Sequence, residues 1–120
     1  MSKSNFYNSI EYTLKIGDWQ QVISLCSTNM VQNPEEPNIP VYLGIAHSRI
    51  GNLSEAANFF KRASELLPRD VNFQITITKL LLEIGKNKEA NNIIETAIKI
   101  HGNCPELLVQ KGWIKLKSYN

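Results

Sequence analysis

Residues 43–68, LGIAHSRIGNLSEAANFFKRASELLP, hold two apolar-periodic segments separated by Gly51 and closed by Pro68. Segments of about a dozen residues are too long for strands and suit short helices. Gly51 supplies the left-handed conformation that ends a helix at little cost, and Asn52 with Glu55 has the spacing of a capping box for the helix that follows. Pro68 cannot continue a helical ladder and marks the stop. The stretch therefore predicts helix, tight turn, helix. Gly44, Ala56 and Ala63 let the two helices approach closely, while Leu43 and Phe60 fill the space around that contact.

Outward from this stretch the same signals return with a fixed period. Gly17, Gly51 and Gly85 are spaced 34 residues apart; Pro34 falls on Pro68, Ala56 on Ala90, and Ala63 on Ala97. A period of this size marks stacked supersecondary units. The chain thus divides into units at about 3–36, 37–70 and 71–104 within a single domain, 1–120. Helices are expected near 4–16, 19–32, 38–50, 53–66, 71–84, 87–100 and 105–118. Asp18 with Gln21 repeats the capping spacing, whereas Lys86 stands where a capping side chain would and leaves Glu89 alone. Gly102 takes the place of Pro34 and Pro68, and Lys99 and His101 before it suit the negative end of a helix dipole.

These residues resemble the tetratricopeptide repeat (TPR), whose pattern sets Leu-Gly and an aromatic on the first helix, then Ala, an aromatic four residues on, and Pro. The middle unit matches best, through Leu43, Gly44, Ala56, Phe60, Ala63 and Pro68. The third keeps Ile77, Leu81, Ala90, Ile94 and Ala97 but has Thr78 in place of the small Gly. In the first, Ser9, Ile10, Val22, Cys26 and Asn29 depart from the pattern, while Phe6, Gly17 and Pro34 hold the register. Terminal units lack a neighbour on one side, so departures there are expected. The resemblance implies an all-α fold: a right-handed superhelical α-solenoid of three TPR helix-turn-helix hairpins. A C-terminal capping helix over 105–119 would make seven helices. On that last helix Lys111 and Lys115 stand where Leu43 and His47 would face a paired second helix. Lysines there suit a cap with no such partner, since a charge on a buried face is costly; the alternative is a chain that stops in mid-repeat.

Composition narrows the function classes. With 13 Lys and Arg against 11 Asp and Glu, the net charge of +2 sets up no strong field for nucleic acid or an anionic membrane. RNA binding, as in helical-hairpin repeats of slightly longer period, fits poorly with this balance and with few stacking aromatics. The N-terminal residues lack a signal-like apolar run and no stretch reaches the ~20 apolar residues of a membrane span, which leads to a cytoplasmic, reduced protein. A chain that had lost its signal would look the same. Cys26 and Cys104 form no CxxC pair; Cys26 reads as a small buried hydrophobe, and Cys104 falls in an inter-unit turn. His47 and His101 have no motif relation to an acid or nucleophile, and neither a phosphate loop nor a metal motif is present. No enzyme, no metal site and no cofactor is expected.

The resemblance places the first helices on the concave side of the superhelix. That face would present Tyr7, Glu11, Leu14 and Lys15; Asn38, Val41, Ile45, Ser48 and Arg49; Asn72, Ile75, Lys79, Leu82 and Glu83; and Glu106, Val109, Trp113 and Leu116. An apolar stripe with polar edges is the composition of a groove for a peptide or helix of a partner protein, and Tyr7, Arg49 and Trp113 are hot-spot residue types. Val41, Ile45, Ile75 and Val109 equally suit packing between first helices. In TPR cochaperones a set of Lys, Asn and Arg clamps a terminal carboxylate; the corresponding Tyr7, Glu11, Tyr42, Asn72 and Thr76 include no cation. The sequence thus points to a non-catalytic protein-interaction scaffold, with an N-terminal docking or oligomerisation module of a larger enzyme or secretion-system protein as the alternative. Weak self-association through an exposed end unit is a further expectation.

Overall fold

A computed structural model describes residues 3–118 of the chain. Seven helices follow in order, among the described residues without a strand: α1 (Lys3–Ile16), α2 (Trp19–Gln32), α3 (Asn38–Arg49), α4 (Leu53–Leu66), α5 (Val71–Glu83), α6 (Asn87–His101) and α7 (Pro105–Ser118). Every boundary lies within one residue of its sequence expectation. Tyr119, the last residue of the expected capping helix, lies outside the described residues, as do both extremes of the 1–120 domain. The three hairpin turns share one device, a glycine with positive φ at Gly17 (75°), Gly51 (91°) and Gly85 (79°). An L side chain adopts that conformation only with strain, which explains why the 34-residue spacing is so legible.

Small and large side chains interlock as the sequence suggests. A Cβ built on Gly44 would lie 2.6 Å from Cδ1 and 2.9 Å from Cζ of Phe60, so the bare backbone of α3 is the socket for the ring on α4. Ala56 and Ala63 flank that ring and are fully buried. In the third unit Thr78 fills the corresponding place and is also fully buried. Its hydroxyl donates to the Gln74 carbonyl at 2.8 Å, so the extra polar atom needs no partner across the hairpin.

The buried residues form two clusters. One joins Phe6, Ile10, Val22 and Cys26 of the first unit to Ile39, Leu43 and Ala46 of α3. The other runs from Ala56 and Phe60 of α4 through α5 and α6 to Leu107 and Ile114 of α7. The division falls inside the middle hairpin. Phe59 on α4 packs back against the first cluster, and Val41 and Ile45 on α3 pack forward against the second. Burial pushes the Cys26 thiol up to about 12, as expected for a cysteine serving as a small hydrophobe.

The capping chemistry differs from the sequence expectation at one start. Asp18 does cap α2, accepting from the Gln21 N–H at 3.2 Å. Asn52 does not cap α4: its side chain makes no cap bond, and its amide lies 3.5 Å from His47 Nδ1 instead. The His47 ring is fixed there by stacking on Phe59, centroids 5.3 Å apart, and presents an alternative polar partner within the same turn. Asp70, which sequence reasoning passed over, caps α5 through the Phe73 N–H at 3.0 Å. The Gln74 amide then donates to Ser64 O (3.1 Å) and Leu67 O (2.8 Å), satisfying carbonyls that the end of α4 leaves open.

Candidate functional site

The side chains expected on the concave face come from α1, α3, α5 and α7. Tyr7 on α1 is half-buried, with its ring edge-on to Phe6 (5.3 Å) and to Tyr42 of α3 (6.5 Å). Burial raises the pKa of its phenol above the usual 10.0, and the Glu36 carboxylate beside it pushes the same way. Tyr42 is raised by burial first and then by Tyr7. Asn38 donates to Glu36 Oε1 at 3.3 Å, which draws Tyr7, Glu36 and Asn38 together where the first two units meet. Tyr7 and Glu36 also border a hollow of about 230 Å³ floored by Phe6 and Ile39.

Arg49, at the end of α3, is exposed, and its guanidinium carbon sits 6.0 Å from the Trp19 ring centroid on α2. A cation over an indole face is held in a preferred direction without losing its water. Ile45, Ser48 and Arg49 share a second hollow, about 320 Å³, with Leu80, Glu83 and Ile84 of the third unit. The structure thus brings Ile45 and Arg49 together around one depression. Val41, Ile45 and Ile75 are partly buried against the core, while Glu11, Lys15, Asn38, Asn72 and Lys79 are exposed. Leu82 is only 7% exposed and belongs to the core cluster, so this member of the expected face packs inward.

On α7 the face opens. Val109, Trp113 and Leu116 are 55%, 55% and 60% exposed, whereas Val41, Ile45 and Ile75, at the places of Val109 and Trp113 in earlier units, are partly buried and Leu82, at the place of Leu116, is buried. They are one helical stripe, opposite Leu107, Gln110 and Ile114, which pack on the preceding helices. Lys111 reaches Glu95 of α6 at 3.1 Å; with both side chains more than a third exposed, that pair ties α7 down only weakly.

Two features escaped the sequence. Trp19 gave no sign that it would carry Arg49 from across a unit boundary. The second is a hollow of about 580 Å³ between the second helices α4 and α6, edged by Asn58, Lys61, Glu65, Asn92 and Thr96. Its floor includes Gln74, whose amide is already committed to Ser64 and Leu67. Among the described residues no group of His, Cys, Asp or Glu is arranged to hold a metal ion, and no helix is long and apolar enough to cross a membrane.

Comparison with solved structures defines the class: this is the fold of a TPR array. The Yersinia enterocolitica type III secretion chaperone SycD, in complex with a peptide of the translocator YopD, superposes with a TM-score of 0.68 at 17% identity, over 96% of this chain and 93% of that one. PcrH in complex with the chaperone binding region of PopD gives 0.71 at 11% identity, over 99% and 95%. The first TPR of Spaghetti (RPAP3), bound to the HSP90 peptide SRMEEVD, gives 0.67 at 16% identity, over 96% and 91%. No protein-family model and no curated protein sequence matches the chain.

Proposed function

We propose that this protein is a non-catalytic scaffold that holds a segment of a partner protein along the face formed by α1, α3, α5 and α7. The observation that carries the reading is the stripe that starts half-buried at Tyr7, Val41, Ile45 and Ile75 and emerges uncovered at Val109, Trp113 and Leu116. Three structures of the same fold, each with a bound peptide, support it at the level of architecture. The chemistry of the face selects among ligands. Tyr7, Glu11, Tyr42, Asn72 and Thr76 offer no cation to a terminal carboxylate, and the Glu36 charge beside Tyr7 opposes one, so an acidic C-terminal peptide is disfavoured. The partner segment this face suits is apolar along its centre, with polar groups to meet Glu11, Lys15, Asn72 and Lys79. Cys26 and Cys104 are both free thiols, in keeping with a reducing cytoplasmic setting.

Affinity capture from the native host with the wild type, Val109→Ser/Trp113→Ala and Arg49→Gln tests the reading. These residues are exposed, so the variants keep the wild-type circular dichroism and melting curve. Loss of the same captured protein from both variants supports the groove, and undiminished capture by both rules it out.

A further inference from the structure

Three polar side chains around the α4–α6 hollow have spent every hydrogen they carry. Gln74 Nε2 gives its two to carbonyls, Ser64 O at 3.1 Å and Leu67 O at 2.8 Å, and this fixes which end of the amide is left over. The Ser64 hydroxyl donates to Lys61 O at 2.7 Å, and the Thr96 hydroxyl donates to Asn92 O at 2.9 Å. What remains is oxygen that can accept and has nothing to donate. All three residues line the hollow of about 580 Å³. Gln74 is 4% exposed and Ser64 8%, yet Gln74 Oε1 accepts from no group among the described residues and is not sealed off, so it opens on the hollow. The apolar floor beside these oxygens is Leu81, Ile93 and Ala97, all buried. At the rim, Glu65 and Glu89 set two carboxylates against the one ammonium of Lys61, and neither glutamate forms an ion pair among the described residues. The walls come from α4, α5, α6 and the turn at Pro68, interior elements of the array.

We propose that this hollow is a binding site, separate from the concave face, for a protonated primary amine on an apolar stem, with the ammonium on Gln74 Oε1 and Ser64 Oγ and the stem against Leu81, Ile93 and Ala97. An ammonium brings three donors and no acceptor, which is the complement of an acceptor-only floor. Hydrogen bonds from a charged donor are stronger than neutral ones, and Glu65 and Glu89 supply the countercharge. An alcohol head brings one donor with lone pairs that find no partner on this floor, and a carboxylate head brings only lone pairs and meets two like charges. The volume falls within the ~300–1,000 Å³ of small-ligand sites, and the few buried polar groups among apolar ones are their usual make-up. The same chemistry is carried by a free small amine and by the lysine side chain of a protein.

The test titrates the isotope-labelled 120-residue chain with phenethylamine, phenylethanol and phenylpropionate and follows amide correlation spectra by NMR. Phenethylamine is expected to bind with Kd of about 1 mM, shifting the Gln74 side-chain amide and the backbone amides of Ile93 and Ala97. Phenylethanol, with the same ring and stem, binds at least about tenfold more weakly, and phenylpropionate does not bind. Glu65→Gln, at an exposed position, keeps the fold and weakens the amine about threefold at low salt while leaving the alcohol unchanged. Gln74→Leu abolishes the preference for amine over alcohol; should it not fold, the wild-type comparison together with Glu65→Gln decides. Blocked lysine methylamide forms the second arm: binding as tight as phenethylamine assigns the site to a protein's lysine, and weaker binding assigns it to a free amine. Equal binding of amine and alcohol by the wild type, or amine shifts that spare Gln74 and Ile93, overturns the proposal. Trp113→Ala leaves amine binding unchanged, so failure here is separable from failure of the groove.

Discussion

Replacing the same repeat position at two places in the array should change stability in opposite directions. At Gly44 an alanine gains about 1 kcal/mol of helix propensity, yet its methyl carbon falls 2.6 Å from Cδ1 of a Phe60 ring that is only 1% exposed. A buried ring has no room to retreat, and overpacking this close falls in the upper part of the usual cost, about 2–3 kcal/mol, from which the propensity gain is subtracted. Gly44→Ala is therefore expected to destabilise by about 1–2 kcal/mol, or to lower Tm by about 4–8 °C for a domain of this size. At Gly112 the same substitution meets nothing within 4 Å, so the propensity term stands alone and stability rises by about 0.5–1 kcal/mol. Urea unfolding followed by helical circular dichroism measures both. A double-mutant cycle with Phe60→Ala isolates the clash: in that background the Gly44→Ala penalty vanishes. A neutral or stabilising Gly44→Ala in the wild type, or a penalty that persists without the ring, would refute the account of how α3 and α4 pack.

Other consequences are equally direct. Gln74→Leu removes two bonds to the end of α4 and leaves Ser64 O and Leu67 O without that donor; a loss of about 1–3 kcal/mol is expected, with faster amide exchange in the last turn of α4. Asp70→Ala should cost about 1 kcal/mol in the same unfolding assay, whereas Asn52→Ala, whose side chain caps nothing, should cost distinctly less. Because the folded-state pKa of Cys26 is raised to about 12 from 9.0, its contribution is intact below pH 9 and is lost as pH rises from there to about 12. The slope it adds is at most about 1.4 kcal/mol per pH unit, and Cys26→Ala should flatten the urea midpoint over that interval.

Much of this architecture was legible because its causes are local. A positive-φ turn admits glycine with little competition, so Gly17, Gly51 and Gly85 announce the hairpins, and the seam of Gly44, Ala56 and Ala63 is a periodic pattern of side-chain size. What escaped depends on distance in space. The fixing of Asn52 on His47 follows from the stacking of His47 on Phe59, which no capping rule contains. Gln74 serves carbonyls from the unit before it, and Trp19 carries an arginine from the unit after it. On the candidate face, periodicity selects the first-helix positions but does not separate those covered by the next first helix from those left open. Leu82 and Leu116, one repeat apart, read alike in the sequence, yet the first is 7% exposed within the core and the second 60% exposed.

The two buried clusters meet inside the α3–α4 hairpin, where the Phe60 ring seats on Gly44 and Phe59 reaches back to the first cluster, so the seam between them is interlocked. In a stack where each unit touches only its neighbours, cooperativity is transmitted through the interfaces, and this hairpin is where it passes from one cluster to the other. Helices α1 to α3 hold seven buried apolar residues around Cys26, against thirteen in the block from α4 to α7. The N-terminal block is accordingly the first to lose amide protection, while α5 and α6 exchange only with global unfolding. Phe59, anchored in one block and carried by a helix of the other, is a latch between them beside the Phe60 ring on Gly44, and its truncation should weaken the coupling of the two.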